Sequence, residues 1–185
     1  MILLYDSTFE GFLSLIYEVY YKKLKPTNIY KTLPNEIIFD EVKTIETNEE
    51  NYKKVLEAIK TKFTKNILEK ILNIFMCDSK DFEMALLEYI IIGFKDAKQL
   101  NNINNSCVFY LNSLEKELFK NVHKMYAFIR FEELEDGSLY AKLECKFNVV
   151  YFLAKHFLKR FNNQNFIIHD INRKLAFIKI DDNYS

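Results

Sequence analysis

One arc of the helix that the sequence predicts over residues 148–161 carries cationic and aromatic side chains together. At about 100° per residue, this arc lies opposite the apolar side formed by Leu153 and Phe157. Its members are Asn148, Phe152, Lys155, His156, Lys159 and Arg160. Cations attract phosphates and an aromatic ring can stack on an unpaired base, so the arc is a candidate nucleic-acid surface. The alternative is a solvated helix face whose phenylalanine covers a neighbouring element.

The charge of the chain is segregated around this helix. The whole chain contains 26 basic residues (lysine and arginine) and 26 acidic residues (aspartate and glutamate). Residues 145–180 contain seven basic residues and one acidic residue, a net charge of +6, whereas residues 1–144 contain 19 basic and 23 acidic residues, a net charge of −4. The positive pole therefore lies in the C-terminal segment, where an anionic partner would bind.

The three histidines are the other candidates for chemistry. His169 precedes Asp170, and such a pair can act in acid-base catalysis or hold a metal, although neighbouring residues of a strand point to opposite sides. The alternative is a hydrogen-bonded structural histidine at a strand end. His123, His156 and the three cysteines follow no recognised ligand spacing, so we predict neither a metal nor a cofactor.

Several functional classes are disfavoured. No apolar run is long enough to span a membrane, and the first residues lack the basic region of a signal peptide, so we expect a cytoplasmic protein with reduced cysteines and no membrane partner. P-loop, GxGxxG, GxSxG and HExxH motifs are absent from the sequence. The carboxylates of Asp81, Glu83 and Glu88 are expected on a solvated face or in salt bridges.

The elements that must position these residues follow from hydrophobic periodicity. A strand is predicted over residues 2–5, and a helix capped by Ser7-x-x-Glu10 then extends to about residue 23, with a possible edge strand at 37–39. Further helices are predicted over 49–63, 64–76, 80–100 and 107–124. A hairpin of 127–131 with 139–143, the helix over 148–161 and a hairpin of 166–169 with 175–180 complete the chain.

The predicted fold class is α+β in a single domain over residues 1–185. Residues 1–122 form a mainly helical part with a short N-terminal strand. Residues 123–185 form a β-β-α-β-β part with an antiparallel sheet, on which the helical part is expected to pack.

Motifs along nearly the whole chain resemble a bacterial family of unknown function, the domain-of-unknown-function family 4130, whose members are described as probable DNA metabolism proteins. The opening motif is Tyr5-Asp6-x-x-Phe9-Glu10-Gly11, and the central helix contributes Glu83 to Tyr89 with Gly93-Phe94. The C-terminal motifs are His123-Lys124-Met125-x-x-Phe128-x-Arg130-Phe131, Leu153-Ala154-x-His156-Phe157-x-x-Arg160-Phe161, Gln164, and Ile168-x-Asp170 with Arg173.

The resemblance implies a DNA-repair setting. Members of the family look like partners of a radical SAM protein thought to modify or repair DNA, and related domains occur fused to uracil-DNA glycosylase-like domains. This sequence lacks the CxxxCxxC motif that holds a radical SAM cluster, so the cluster would belong to the partner. The implied role is an accessory protein that binds DNA, the radical SAM protein or both.

Three hypotheses follow. In the first, Lys155, His156, Lys159, Arg160 and Arg173 form one DNA-binding or partner-binding surface that Phe128, Arg130 and Phe131 support or extend. In the second, the chain is a pure adaptor anchored by Phe12, Tyr17, Tyr20 and Tyr21. In the third, the chain is an enzyme that uses His123, His156 or His169, and convergence of these side chains with Arg160 in one cleft would favour it.

Overall fold

The computed structural model describes residues 1–34, 41–79, 81–181 and 183–184. The chain forms two compact units, of which unit 1 comprises Met1–Phe75 with Lys80–Ser113 and unit 2 comprises Met76–Ser79 with Leu114–Ser185. Helices and strands both contribute, so the predicted α+β class is confirmed. Within the described residues, no helix combines the length and the apolar character needed to cross a membrane.

Unit 1 contains a short parallel sheet in the order β2-β1-β3. Its strands are β1 (Ile2–Leu4), β2 (Asn28–Tyr30) and β3 (Val42–Thr44). Its helices are α1 (Phe9–Lys22), α2 (Glu49–Lys62), α3 (Lys65–Met76, which ends in unit 2) and α4 (Glu83–Lys95), followed by a 3-10 helix (Ala97–Asn101). These bounds confirm the predicted strand and the helices predicted over 7–23, 49–63 and 64–76. The helix predicted over 80–100 is shorter, because it ends at Lys95, Asp96 is extended and a 3-10 helix follows. The strand predicted at 37–39 lies outside the described residues.

The start of α1 differs from the prediction by one residue. Thr8 is the N-cap, and its hydroxyl accepts a hydrogen bond from the Gly11 N–H at 2.9 Å. The predicted capping box is therefore wrong, because Asp6 Oδ1 accepts hydrogen bonds from the N–H and the hydroxyl of Thr8 and holds Ser7 at a φ of 68°. The chain consequently enters the helix after Thr8.

Unit 2 is built on a mixed sheet in the order β4-β5-β6-β7-β8. Its elements are the C-terminal part of α5 (Ser106–Phe128), β4 (Glu132–Glu133), β5 (Leu139–Leu143), α6 (Val150–Arg160), β6 (Phe166–Asp170), β7 (Leu175–Ile180) and β8 (Asn183–Tyr184). The predicted second hairpin is confirmed as the antiparallel pair β6 and β7. The sheet is not wholly antiparallel as predicted, because β5 and β6 are parallel and α6 connects them as a crossover helix.

The predicted first hairpin is wrong in its first strand. Ala127 and Phe128 belong to α5, and only Glu132 and Glu133 pair with β5. The helix continues because Val122, Met125 and Ile129 extend its apolar stripe at helical spacing, and the Ile129 N–H still donates to the Met125 carbonyl at 2.9 Å.

Side chains alternate between the two faces of the unit 2 sheet. On the inner face, Ala141, Phe166 and Ile168 are fully buried, and Phe161 at the end of α6 contacts Phe166. On the outer face, Tyr140 and Lys142 of β5 lie beside Ile167 and His169 of β6. The crossover helix and the outer face are therefore separated by the sheet.

Candidate nucleic-acid interface

Helix α6 presents an apolar side to the sheet and a polar side to solvent. Leu153, Ala154 and Phe157 are buried, whereas Lys155, His156, Lys159 and Arg160 are exposed. Asn148 fixes the start of the helix, because its side chain accepts a hydrogen bond from the Val150 N–H at 3.2 Å and its own N–H donates to the Cys77 carbonyl at 2.9 Å. The two lysines, the histidine and the arginine predicted for one arc thus share one exposed face, whereas the half-buried Asn148, predicted for the same arc, precedes the helix.

A row of rings joins this face to α5. The imidazole of His156 stacks on Tyr126 with centroids 4.3 Å apart and planes 27° apart, and His123 meets the edge of Tyr126 at 5.9 Å. Phe152 is half-buried and packs edge-to-face against Phe119 at 5.6 Å, so it covers a neighbouring helix as the alternative interpretation expected. Burial raises the pKa of Tyr126.

A second row of cations lies on α5 and was missed by the sequence analysis. Lys116, Lys120 and Lys124 recur every four residues, are exposed, and lie beside His123 on the helical wheel. The regular spacing was the available signal, since all three lysines lie within the helix predicted over 107–124. None of these lysines makes an ion pair with a described residue, and the same holds for Lys155 and Lys159.

The resulting feature is here named the α5–α6 surface. It consists of the rings of Phe119, His123, Tyr126, Phe152 and His156 and the cations Lys116, Lys120, Lys124, Lys155, Lys159 and Arg160. The guanidinium of Arg160 lies 5.8 Å from the Phe161 ring, at the end of α6. Such a surface offers cations for phosphates along both sides of a row of rings.

Arg173 is held inside unit 2. Its guanidinium donates to Asp170 Oδ2 at 3.0 Å, to Asp78 Oδ2 at 3.2 Å, and to the carbonyls of Cys145 and Lys146 at 3.0 and 2.7 Å. Asp170 is fully buried, and 19% of the Arg173 side chain is exposed. The geometry therefore gives Arg173 the role of fixing the loop between β5 and α6.

Two further cations of residues 145–180 are also engaged internally. Lys146 pairs with Glu117 at 2.8 Å, and the buried Lys179 donates to the Gln164 carbonyl at 3.1 Å. The positive charge that remains for a ligand is therefore smaller than the sequence total of this segment.

The three histidines do not converge. His123 and His156 both contact Tyr126, whereas His169 lies on the outer face of the sheet and shares a 2.8 Å hydrogen bond between its Nδ1 and the Tyr140 hydroxyl. Because α6 covers the inner face, the sheet separates His169 from His156. No group of three or more metal-ligating side chains occurs in the part of the chain that the structure describes.

Phe128, Arg130 and Phe131, which were predicted to support the surface, have three different environments. Arg130 donates to the carbonyls of Ala127 and Ile129 at 3.1 and 3.2 Å and so caps the end of α5. Phe131 is half-buried and packs on α6, with its ring 4.8 Å from Phe157 and 5.0 Å from Phe161. Phe128 is 64% exposed, so its ring is accessible to a ligand. The family-motif residue Met125, one turn earlier in α5, is half-buried.

The opening motif builds the first turn of unit 1. Asp6 accepts a hydrogen bond from the Thr47 hydroxyl at 2.5 Å, and its carboxylate lies so close over Gly11 that a Cβ there would be 2.8 Å from Cγ. Burial raises the pKa of Asp6, but the hydrogen bonds from Thr47 and Thr8 outweigh it and leave the pKa below 3.8. Phe9 packs on α3 and Glu10 is exposed in the first turn of α1.

Glu83 is buried, and the expectation of a solvated carboxylate is wrong for this residue. It is 5% exposed at the first turn of α4, and the Tyr5 hydroxyl donates to it at 3.3 Å. Burial raises its pKa above 4.5. Asp81 and Glu88 are exposed as expected.

An aromatic patch lies on α1 in unit 1. Tyr20 and Tyr21 are 50% and 63% exposed, and the Tyr17 and Tyr21 rings are 4.3 Å apart. Together with Phe94 they line a cavity of about 170 Å³. Phe12, which was predicted to belong to the same set of anchors, is instead fully buried in the core.

The comparisons with known proteins identify one family. The model of a domain of unknown function, DUF4130, matches residues 80–183, slightly more than half of the chain. No curated protein matches the chain. The matched segment includes all of the α5–α6 surface, and the chain belongs to the DUF4130 family.

Proposed function

We propose that the protein is an accessory factor of DNA metabolism or repair that binds an unpaired stretch of DNA through the α5–α6 surface. The observation that carries the proposal is the row of rings between two rows of cations that make no ion pair with any described residue. The DNA setting itself comes from the resemblance between the motifs of this chain and those of the family.

The cations favour a ligand with a repeating negative charge. Lys155 and Lys159 are one helical turn apart, about 6 Å along the axis, so they can contact the same strand. Lys159 and Arg160 also stabilise the negative end of the α6 dipole. Interaction with the α6 dipole does not explain the cationic residue Lys155 in the middle of the helix, and it does not explain the row of lysines on α5.

The rings favour an unpaired strand over a duplex. Aromatic side chains offer faces on which successive bases stack, and in a duplex those base faces are already covered. The exposed His156, supported from behind by Tyr126, provides such a platform.

Fluorescence anisotropy with a labelled single-stranded oligonucleotide, titrated at several salt concentrations, tests the proposal. We expect log Kd to depend linearly on log salt concentration. The triple variant Lys155→Gln/Lys159→Gln/Arg160→Gln should bind more weakly, with a slope smaller by about 2, since each contact with a single strand contributes about 0.7.

A control variant carries the same change of charge elsewhere. Lys23, Lys25 and Lys98 are exposed lysines of unit 1, and their replacement by glutamine should leave the affinity almost unchanged. Equal losses in the two triple variants, or absence of salt-dependent binding in the wild type, would exclude the α5–α6 surface as the DNA site.

The aromatic patch on α1 favours a second function, docking of the radical SAM protein. Exposed tyrosines around a small cavity are typical anchors of protein interfaces. Co-purification of the partner with the wild type, and its loss in Tyr20→Ala/Tyr21→Ala but not in the α6 triple variant, is the expected result. Retention of the partner by the tyrosine variant would exclude this patch.

A further inference from the structure

A second concave site lies on the outer face of the unit 2 sheet, here named the β5 groove. It has a volume of about 330 Å³ and lies between the end of α5 and strand β5. Its lining residues are Met125, Phe128, Ile129, Arg130, Glu132, Tyr140, Lys142, Leu143 and Glu144. The volume is at the lower end of the range of small-molecule sites.

The groove contains charged side chains that do not neutralise one another. Arg130, Lys142, Glu132 and Glu144 are all exposed, and none forms an ion pair with another described residue. Tyr140 and Lys142 lie on the same face of β5, about 7 Å apart along the strand, and Glu144 follows directly after the strand ends. The groove therefore offers hydrogen-bond donors and acceptors side by side.

Two aromatic side chains complete the groove. The Phe128 ring is 64% exposed, so an exposed apolar face is available for stacking. Tyr140 lines the groove, and the 2.8 Å hydrogen bond between its hydroxyl and His169 Nδ1 fixes the orientation of its ring.

We propose that the β5 groove binds one unstacked nucleobase of the bound strand, with a preference for bases that carry an amino group. The base stacks on Phe128, and the carboxylates of Glu132 and Glu144 accept hydrogen bonds from its amino edge. Arg130 and Lys142 contact the sugar-phosphate backbone. The choice of ligand rests on the proposed function, because it takes the DNA strand as the source of the base.

Nucleosides provide a test that is independent of the α5–α6 surface, since they carry no phosphate. In amide-resolved NMR titrations of the full chain with deoxycytidine, deoxyadenosine and thymidine, we expect saturable shifts at residues 129–130 and 141–144. Deoxycytidine and deoxyadenosine should bind more tightly than thymidine. Phe128→Ala should weaken binding by about fivefold or more, as loss of one base-stacking contact does.

The matched control is Phe109→Ala, since Phe109 is 62% exposed in unit 1 and lies outside the groove. Its replacement should leave nucleoside binding unchanged. Absence of shifts at the groove, equal binding of thymidine, or an unchanged affinity in Phe128→Ala would each overturn the proposal. If the oligonucleotide still bound with the expected salt dependence, only the proposed base site in the β5 groove would be rejected, and the proposed DNA binding by the α5–α6 surface would remain supported.

Discussion

Replacement of Arg173 by alanine should destabilise unit 2 while leaving the α5–α6 surface chemically intact. The substitution removes the guanidinium that pairs with the fully buried Asp170 and bonds the carbonyls of Cys145 and Lys146. Removing one partner of a buried ion pair costs about 3–5 kcal/mol, because the other charge stays buried without compensation. With less than a fifth of the Arg173 side chain exposed, we expect a loss in this range.

The assay is urea unfolding followed by the NMR signals of β5 and β6, which report on unit 2 directly. Asp170→Ala combined with Arg173→Ala should be less destabilising than the sum of the single changes, since the double variant leaves neither charge of this pair without its partner. Lys174→Ala is the control, because Lys174 is an exposed residue of the same turn and should change the free energy of unfolding by at most about 0.5 kcal/mol.

Equal effects of Arg173→Ala and Lys174→Ala on stability would refute this reasoning. The same holds if Arg173→Ala weakened oligonucleotide binding severalfold without changing the free energy of unfolding. In that case Arg173 would be a ligand contact, as its position in the basic segment predicted.

Three further predictions concern other parts of the chain. Gly11→Ala should destabilise unit 1 by about 1–3 kcal/mol in urea unfolding, because the added methyl group displaces the Asp6 carboxylate, and Asp6→Ala in the same chain should recover part of the loss. Glu83→Gln should become more stable relative to the wild type as the pH rises above 4.5. The raised pKa of Glu83 means that the folded wild type binds more protons than the unfolded chain there, so the wild type loses stability as the pH rises. A constant difference in the free energy of unfolding between about pH 4 and pH 7 would contradict this. In thiol labelling of the native protein, Cys145 should react first and Cys107 far more slowly, because burial, with the charge of Glu88, raises the pKa of Cys107 to about 11; labelling at equal rates would be inconsistent with the fold.

Hydrophobic periodicity was sufficient to predict most elements but not their pairing. The apolar side of α6 was correct because Leu153 and Phe157 recur at helical spacing, and the β6–β7 hairpin was correct because its strands are adjacent in sequence. The parallel pairing of β5 with β6 depends on the path of α6, which local patterns do not encode. The end of α5 was missed because Phe128 and Ile129 fit both a helical stripe and an alternating strand.

Counting charges predicted the site only in part. The sequence shows that Lys155 and Arg173 are both basic, but it does not show which of them is bonded within the protein. The nearby Asp170 was the available signal for Arg173, since an acid three residues before an arginine in a turn can pair with it. Glu83 was missed for the opposite reason, because its burial depends on Tyr5, which is distant in sequence.

The assignment of Met76–Ser79 to unit 2 has a practical consequence for dissecting the chain. The main chain enters unit 2, returns to unit 1 and enters unit 2 again, so neither unit is a continuous segment that one cleavage could release. A fragment cut at the family boundary, residue 80, would lack the Cys77 carbonyl that receives the Asn148 N–H and the Asp78 carboxylate that pairs with Arg173. A peptide covering residues 76–79 could then be added to the truncated fragment. The stability that the fragment regains on binding this peptide would measure how strongly these four residues hold the start of α6.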